Sequence, residues 1–97
     1  MWLVFAVVNR KGGQMKIETT TDQIDLLCMV AIVLKKSPFC YSENTAEFFS
    51  TEGHLIIHWE LKEMQFLDWK YTDDIIYLQL LGICNMFDLQ SEDYHSE

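Results

Sequence analysis

His54-Leu55-Ile56-Ile57-His58-Trp59-Glu60-Leu61-Lys62-Glu63-Met64-Gln65-Phe66-Leu67-Asp68-Trp69-Lys70-Tyr71 decides the fold, because it can be read with two periods. Read as strands, Leu55, Ile57, Trp59 and Leu61 share one face, and His54, His58, Glu60 and Lys62 share the other with Ile56. A second strand over residues 64–71 then places Leu67, Trp69 and Tyr71 together. Read as a helix, Ile57, Leu61, Met64 and Tyr71 line up, and residues 60–64 have helical propensity. The weight of Ile, Trp, Phe and Tyr favours two strands, with the helix kept as the alternative.

Working outward from this stretch, Thr72-Asp73-Asp74 is a cap with two acids in the first turn, and a helix follows. Its stripe is Ile76, Leu80, Ile83 and Phe87, and it runs to about Leu89. Residues 91–97 are polar and acidic and read as a flexible tail. On the other side, residues 39–53 carry turn formers and read as a loop, with a short helical turn around residues 45–49. Residues 22–36 read as a helix capped by Thr21 or Asp22, ending at Lys35-Lys36 and Ser37-Pro38. Residues 2–9 suit a buried strand, Gly12-Gly13 is a hairpin signal, and residues 15–21 form the returning arm. The expected fold is α+β, an antiparallel sheet of about four strands with two helices in the order ββα-loop-ββα. Residues 1–90 make one domain and residues 91–97 the tail.

The 97 residues carry 15 acidic and 7 basic side chains, a net charge of −8. Residues 1–37 have a net charge of +2 and residues 38–97 a net charge of −10. This balance argues against direct nucleic-acid binding, which draws affinity from Lys and Arg on phosphates. It argues equally against anionic membrane surfaces. A basic protein surface is the natural complement. Apolar residues make up 49% of the chain, enough for a packed core. Cys28, Cys40 and Cys84 are an odd, widely spaced set, which suits a reducing cytoplasm. Cys28 and Cys84 lie in apolar runs and read as buried. No leader is expected at residues 2–8, and no apolar stretch approaches the ~20 residues of a membrane span. The run from Leu26 to Leu34 has no polar residue, so a helix there is central to the core or covered by a second copy.

Val7-Val8-Asn9-Arg10-Lys11-Gly12-Gly13-Gln14-Met15-Lys16 resembles the opening of the partition-type P-loop ATPases, in which a strand runs into a lysine-glycine-glycine loop. The resemblance covers about a tenth of the chain and implies a phosphate cradle. Met15 stands where those proteins have a turning glycine, and Ile17 where they have the magnesium-binding hydroxyl. A hairpin turn accounts for the same residues, and no cofactor is expected.

His54 and His58 share a face in either reading, but a metal site needs three or four ligands, and no metal is expected. Cys40 is the one candidate nucleophile, and nothing supplies its base. No pair of carboxylates has a spacing that singles out a general acid. The remaining constellation is Glu60, Glu63, Asp68, Asp73 and Asp74 interleaved with Trp69 and Tyr71. Acids steer a basic partner, and aromatic anchors hold it when desolvated. Alternatively, the two aromatics are core residues and the acids a solvated rim. The expected function is a non-enzymatic acidic inhibitor of a basic partner. The type in view is an immunity or antitoxin protein that blocks the cleft of a toxin, nuclease or other nucleic-acid enzyme. The rivals are a phage-type nucleic-acid mimic acting on a host defence enzyme and a homodimeric scaffold or accessory subunit joined through Leu26 to Leu34.

Overall fold

Two helices and five short strands follow Lys16 in the computed structural model, which describes residues 16–70 and 74–94. Helix α1 spans Thr20–Leu34, and strands β1 (Cys40–Tyr41), β2 (Thr45–Phe49), β3 (His54–His58) and β4 (Glu63–Leu67) come next. Helix α2 spans Ile75–Met86, and β5 spans Gln90–Tyr94. All five strands join one sheet in the order β1-β2-β3-β4-β5. The first three pairings are antiparallel, whereas β4 and β5 run parallel.

This corrects the expected four-stranded antiparallel sheet and its ββα-loop-ββα order. Among the described residues the order is αββββαβ, a mixed α+β sheet. Three local choices account for the difference. The first concerns the threonines at residues 19–21, expected to end a strand. Thr19 instead builds a capping box: its hydroxyl accepts from the Asp22 N–H at 3.1 Å, and the Asp22 carboxylate accepts from the Thr19 N–H at 3.0 Å. Two otherwise orphaned donors are satisfied, which outweighs the modest β preference of threonine. The strand expected at residues 2–9 lies outside the described residues, as does most of the P-loop resemblance.

The second choice concerns residues 45–49, expected as loop or helical turn. They form a strand because Ala46 and Phe48 point into the core while Thr45 and Glu47 do not. Ala and Glu favour helix locally, so pairing with all five residues of β3 decides the matter. The third concerns the chain after α2. The helix stops at Met86 rather than near Leu89, and Asp88 takes a left-handed conformation with φ 59°. Residues 90–94, whose last four were assigned to a flexible tail, then return beside β4. A strand reached through a helical crossover enters from the same end as its neighbour, and so pairs in parallel.

The two strands expected between His54 and Tyr71 are β3 and β4, and the helical alternative is set aside. Their side chains alternate: Leu55, Ile57, Met64 and Phe66 are fully buried, and the residues between them are half-buried. Both helices pack on this inner face. Tyr77 of α2 meets Phe66, with ring centroids 4.9 Å apart, and Tyr41 of β1 donates to Gln23 of α1 at 3.0 Å. Leu26, Val30, Leu80 and Phe87 close the core from the helical side.

Gly53, at the turn between β2 and β3, is needed for close approach. A Cβ there would lie 2.9 Å from both the Trp69 Cα and its ring. The glycine therefore lets the chain after β4 lie against this turn, where the Lys70 N–H donates to the Glu52 carbonyl at 2.9 Å.

Candidate functional site

No described element lies over the outer face of the sheet, and register places its side chains in rows. One row is Thr45, His58, Glu63 and Gln90; the next is Glu47, Ile56, Gln65 and Glu92; the last is Phe49, His54, Leu67 and Tyr94. Cys40 sits beside Glu47 on the same face. The last row is aromatic. The Phe49 ring stacks on His54 with centroids 4.1 Å apart, and Phe39 meets Phe49 edge-on at 4.8 Å. These rings remain accessible: Phe39 is 74% exposed, Phe49 46% and Tyr94 47%. The His54 ring is also held by Glu47, Nε2 to Oε1 at 3.0 Å. Three carboxylates, Glu47, Glu63 and Glu92, stand on the three rows together with two histidines, and none of these positions is Lys or Arg.

The acidic constellation expected over residues 60–74 is not brought together in this way. Glu60 is exposed in the turn between β3 and β4, and Glu63 begins β4 on the open face. Asp68 follows the far end of β4, about 17 Å from Glu63 at the usual strand rise. Asp74 caps α2, its carboxylate accepting from the Ile76 N–H. Tyr71 and Asp73 lie outside the described residues.

Trp69 is only 3% exposed and packs on Phe66 and Tyr77. The alternation that grouped it with Leu67 is broken by Asp68, whose φ of 54° turns the chain so that Trp69 faces inward. Its indole N–H is buried and has no hydrogen-bond partner among the described residues. Glu47, Phe49, Glu92 and Tyr94 were missed as site residues. The only sequence signal for the first two is the inward pair Ala46 and Phe48; for the last two there is none.

The other candidate groups do not assemble a reactive centre. Cys28 is exposed, which corrects its assignment as buried, and Cys40 is half-buried. His58 Nδ1 accepts from the Leu61 N–H at 3.3 Å. Among the described residues no three His, Cys, Asp or Glu side chains are placed to hold a metal ion. Lys62 Nζ donates to the Ile17 carbonyl at 2.9 Å, in a shallow groove shared with Lys16, Glu18, Phe87 and Asp88.

Two neutral groups under the sheet tie stability to alkaline pH. Burial, reinforced by the Asp93 carboxylate, pushes the Tyr77 hydroxyl from 10.0 up to about 12. That hydroxyl donates to both Asp93 oxygens, at 2.9 and 2.8 Å. Burial likewise pushes the Cys84 thiol from 9.0 up to about 12, beside the Met64 sulfur at 3.4 Å. The native state holds both protons longer than the unfolded chain does. Stability is therefore intact below pH 9.0 and falls as pH rises, from 9.0 to about 12 for the thiol and from 10.0 to about 12 for the phenol. Urea midpoints measured across this range will show the decline, and Cys84→Ala will remove the limb that begins first. A flat midpoint in the wild type would refute the burial of both groups.

Comparison with protein-family models, with curated proteins and with solved structures found no match. Among the described residues no helix is long and apolar enough to cross a membrane.

Proposed function

We propose that this chain is a non-enzymatic acidic binding protein that inhibits a basic partner. The partner in view is a toxin, a nuclease or another nucleic-acid enzyme, bound in the manner of an immunity or antitoxin protein. One observation carries the reading: among the described residues, the open sheet face combines accessible aromatic rings with three carboxylates and has no Lys or Arg at its strand positions. Aromatic side chains supply contact area at low entropic cost, and the carboxylates steer and orient a cationic surface. An enzyme built to attract phosphates presents such a surface at its cleft. The proposed contact is Glu47, Phe49, Glu63, Glu92 and Tyr94, and of the residues singled out in the sequence it retains Glu63, with Glu60 at its border. The compartment proposed is a reducing cytoplasm, consistent with three free cysteines.

Capture from the native lysate, washed at low and at high salt, tests the proposal. A basic nucleic-acid enzyme or toxin, retained at low salt and at least partly lost at high salt, is the expected catch. Recovery of the bait alone, running as a dimer, removes the inhibitor reading and favours a scaffold. One feature supports that second reading. Most of the run from Leu26 to Leu34 is buried in the chain's own core, but Ile24, Cys28 and Ile32 form an exposed stripe along α1.

A further inference from the structure

The outer edge of the sheet shows how such a partner would be held. Strand β5 pairs only with β4, and among the described residues no strand lies beyond it. All five of its residues are exposed. The ladder to β4 begins with the Gln90 N–H donating to the Lys62 carbonyl at 2.9 Å. It ends with the Tyr94 carbonyl accepting from the Asp68 N–H at 2.7 Å. In a strand the N–H and C=O of one residue point to the same side, and the side alternates along the chain. Residues 90, 92 and 94 therefore face β4, and the main-chain groups of Ser91 and Asp93 face outward. Such an edge is a template for a further strand.

Charge selects the occupant. From residue 71 to residue 97 the sequence has no Lys or Arg and six acids. Glu92 projects on the open face beside the Glu63 row, and Asp93 projects towards α2. A second copy pairing edge to edge would bring the Glu92 and Asp93 carboxylates of both chains together, and like charges in register repel. A strand bearing Lys or Arg is complementary on both faces. We infer that the edge of β5 accepts an extended, lysine- or arginine-bearing segment of the partner as a sixth strand. The inference rests on the proposed reading and specifies how its partner is engaged.

The test uses the full chain and an end-blocked eight-residue peptide of alternating Lys and Val, with a Glu-Val peptide as control. Binding of the Lys peptide is expected to slow exchange of the Ser91 and Asp93 amides at least tenfold, and the Glu peptide should leave them unchanged. Ser91→Pro removes an outward donor without touching the ladder to β4, a substitution that edge strands accept. It should weaken peptide binding at least tenfold while leaving the circular dichroism spectrum intact. Should that substitution disturb the spectrum, exchange at residues 91 and 93 in the wild type decides alone. Absence of peptide binding, or protection confined to the open face, would overturn the sixth strand. A basic partner captured from lysate that leaves the Ser91 and Asp93 amides exchanging freely also overturns it, and leaves the proposed function standing. Failure of capture, by contrast, counts against the function itself.

Discussion

Phe66→Ala is expected to cost about 3–5 kcal/mol of folding stability, the usual range for emptying a fully buried phenylalanine site. Phe66 is 0% exposed and lies at the centre of an aromatic group, 5.2 Å from the Trp69 ring and 4.9 Å from the Tyr77 ring. The loss combines the transfer energy of the ring with a cavity that two rigid neighbours cannot fill by relaxing. A domain of this size has only about 5–15 kcal/mol in total, so a large fraction is at stake. The melting temperature should fall by roughly 15–30 °C. Phe49→Ala is the matched comparison: this ring is 46% exposed on the other side of the sheet, and its loss should cost about 1 kcal/mol or less. Equal melting shifts for the two variants would mean that the sheet does not bury the face assigned here as inner.

Reversal of Glu63 and Glu92 to Lys is expected to slow association with the captured partner at least tenfold at low ionic strength. These two carboxylates stand on adjacent rows of the open face. Each reversal adds two units of charge, so the pair takes the chain from −8 to −4. Steering depends on where charge lies as well as on how much there is. The control therefore reverses Glu18 and Asp88, which line the groove against Lys62 and Phe87 rather than the sheet face. Both variants have the same net charge. Only the first should flatten the salt dependence of the association rate, since it removes the field that salt screens. Equal rates for the two variants would take the open face out of the interface and leave only a diffuse effect of net charge.

The periodicity of His54 to Tyr71 was readable because alternation of large apolar side chains leaves one sensible face for a half-buried strand. Leu55 and Ile57 are core residues as that pattern requires, whereas in the second strand the buried face is Met64 and Phe66 rather than the one carrying Leu67. The two helices were readable too, since caps and apolar stripes act over a few residues, although the caps in use are Thr19 and Asp74. The candidate site was legible only at Glu63. Grouping Trp69 with the acids required β4 to continue straight, and the left-handed turn at Asp68 reverses the side from which Trp69 emerges.

By itself, then, the sequence determined the acidic charge and its concentration after residue 38, the α+β class and both helices, and it favoured two central strands over a helix. Each follows from composition or from interactions a few residues apart. Only the tertiary structure decided that Thr45–Phe49 is a strand, that Gln90–Tyr94 runs parallel to β4, and which carboxylates share a face with the aromatic rings. Residues such as Gln90, Ser91, Glu92 and Asp93 have little intrinsic preference for a strand. They form one because residues 62–68, distant in sequence, present main-chain donors and acceptors in ladder register at the place where α2 returns the chain.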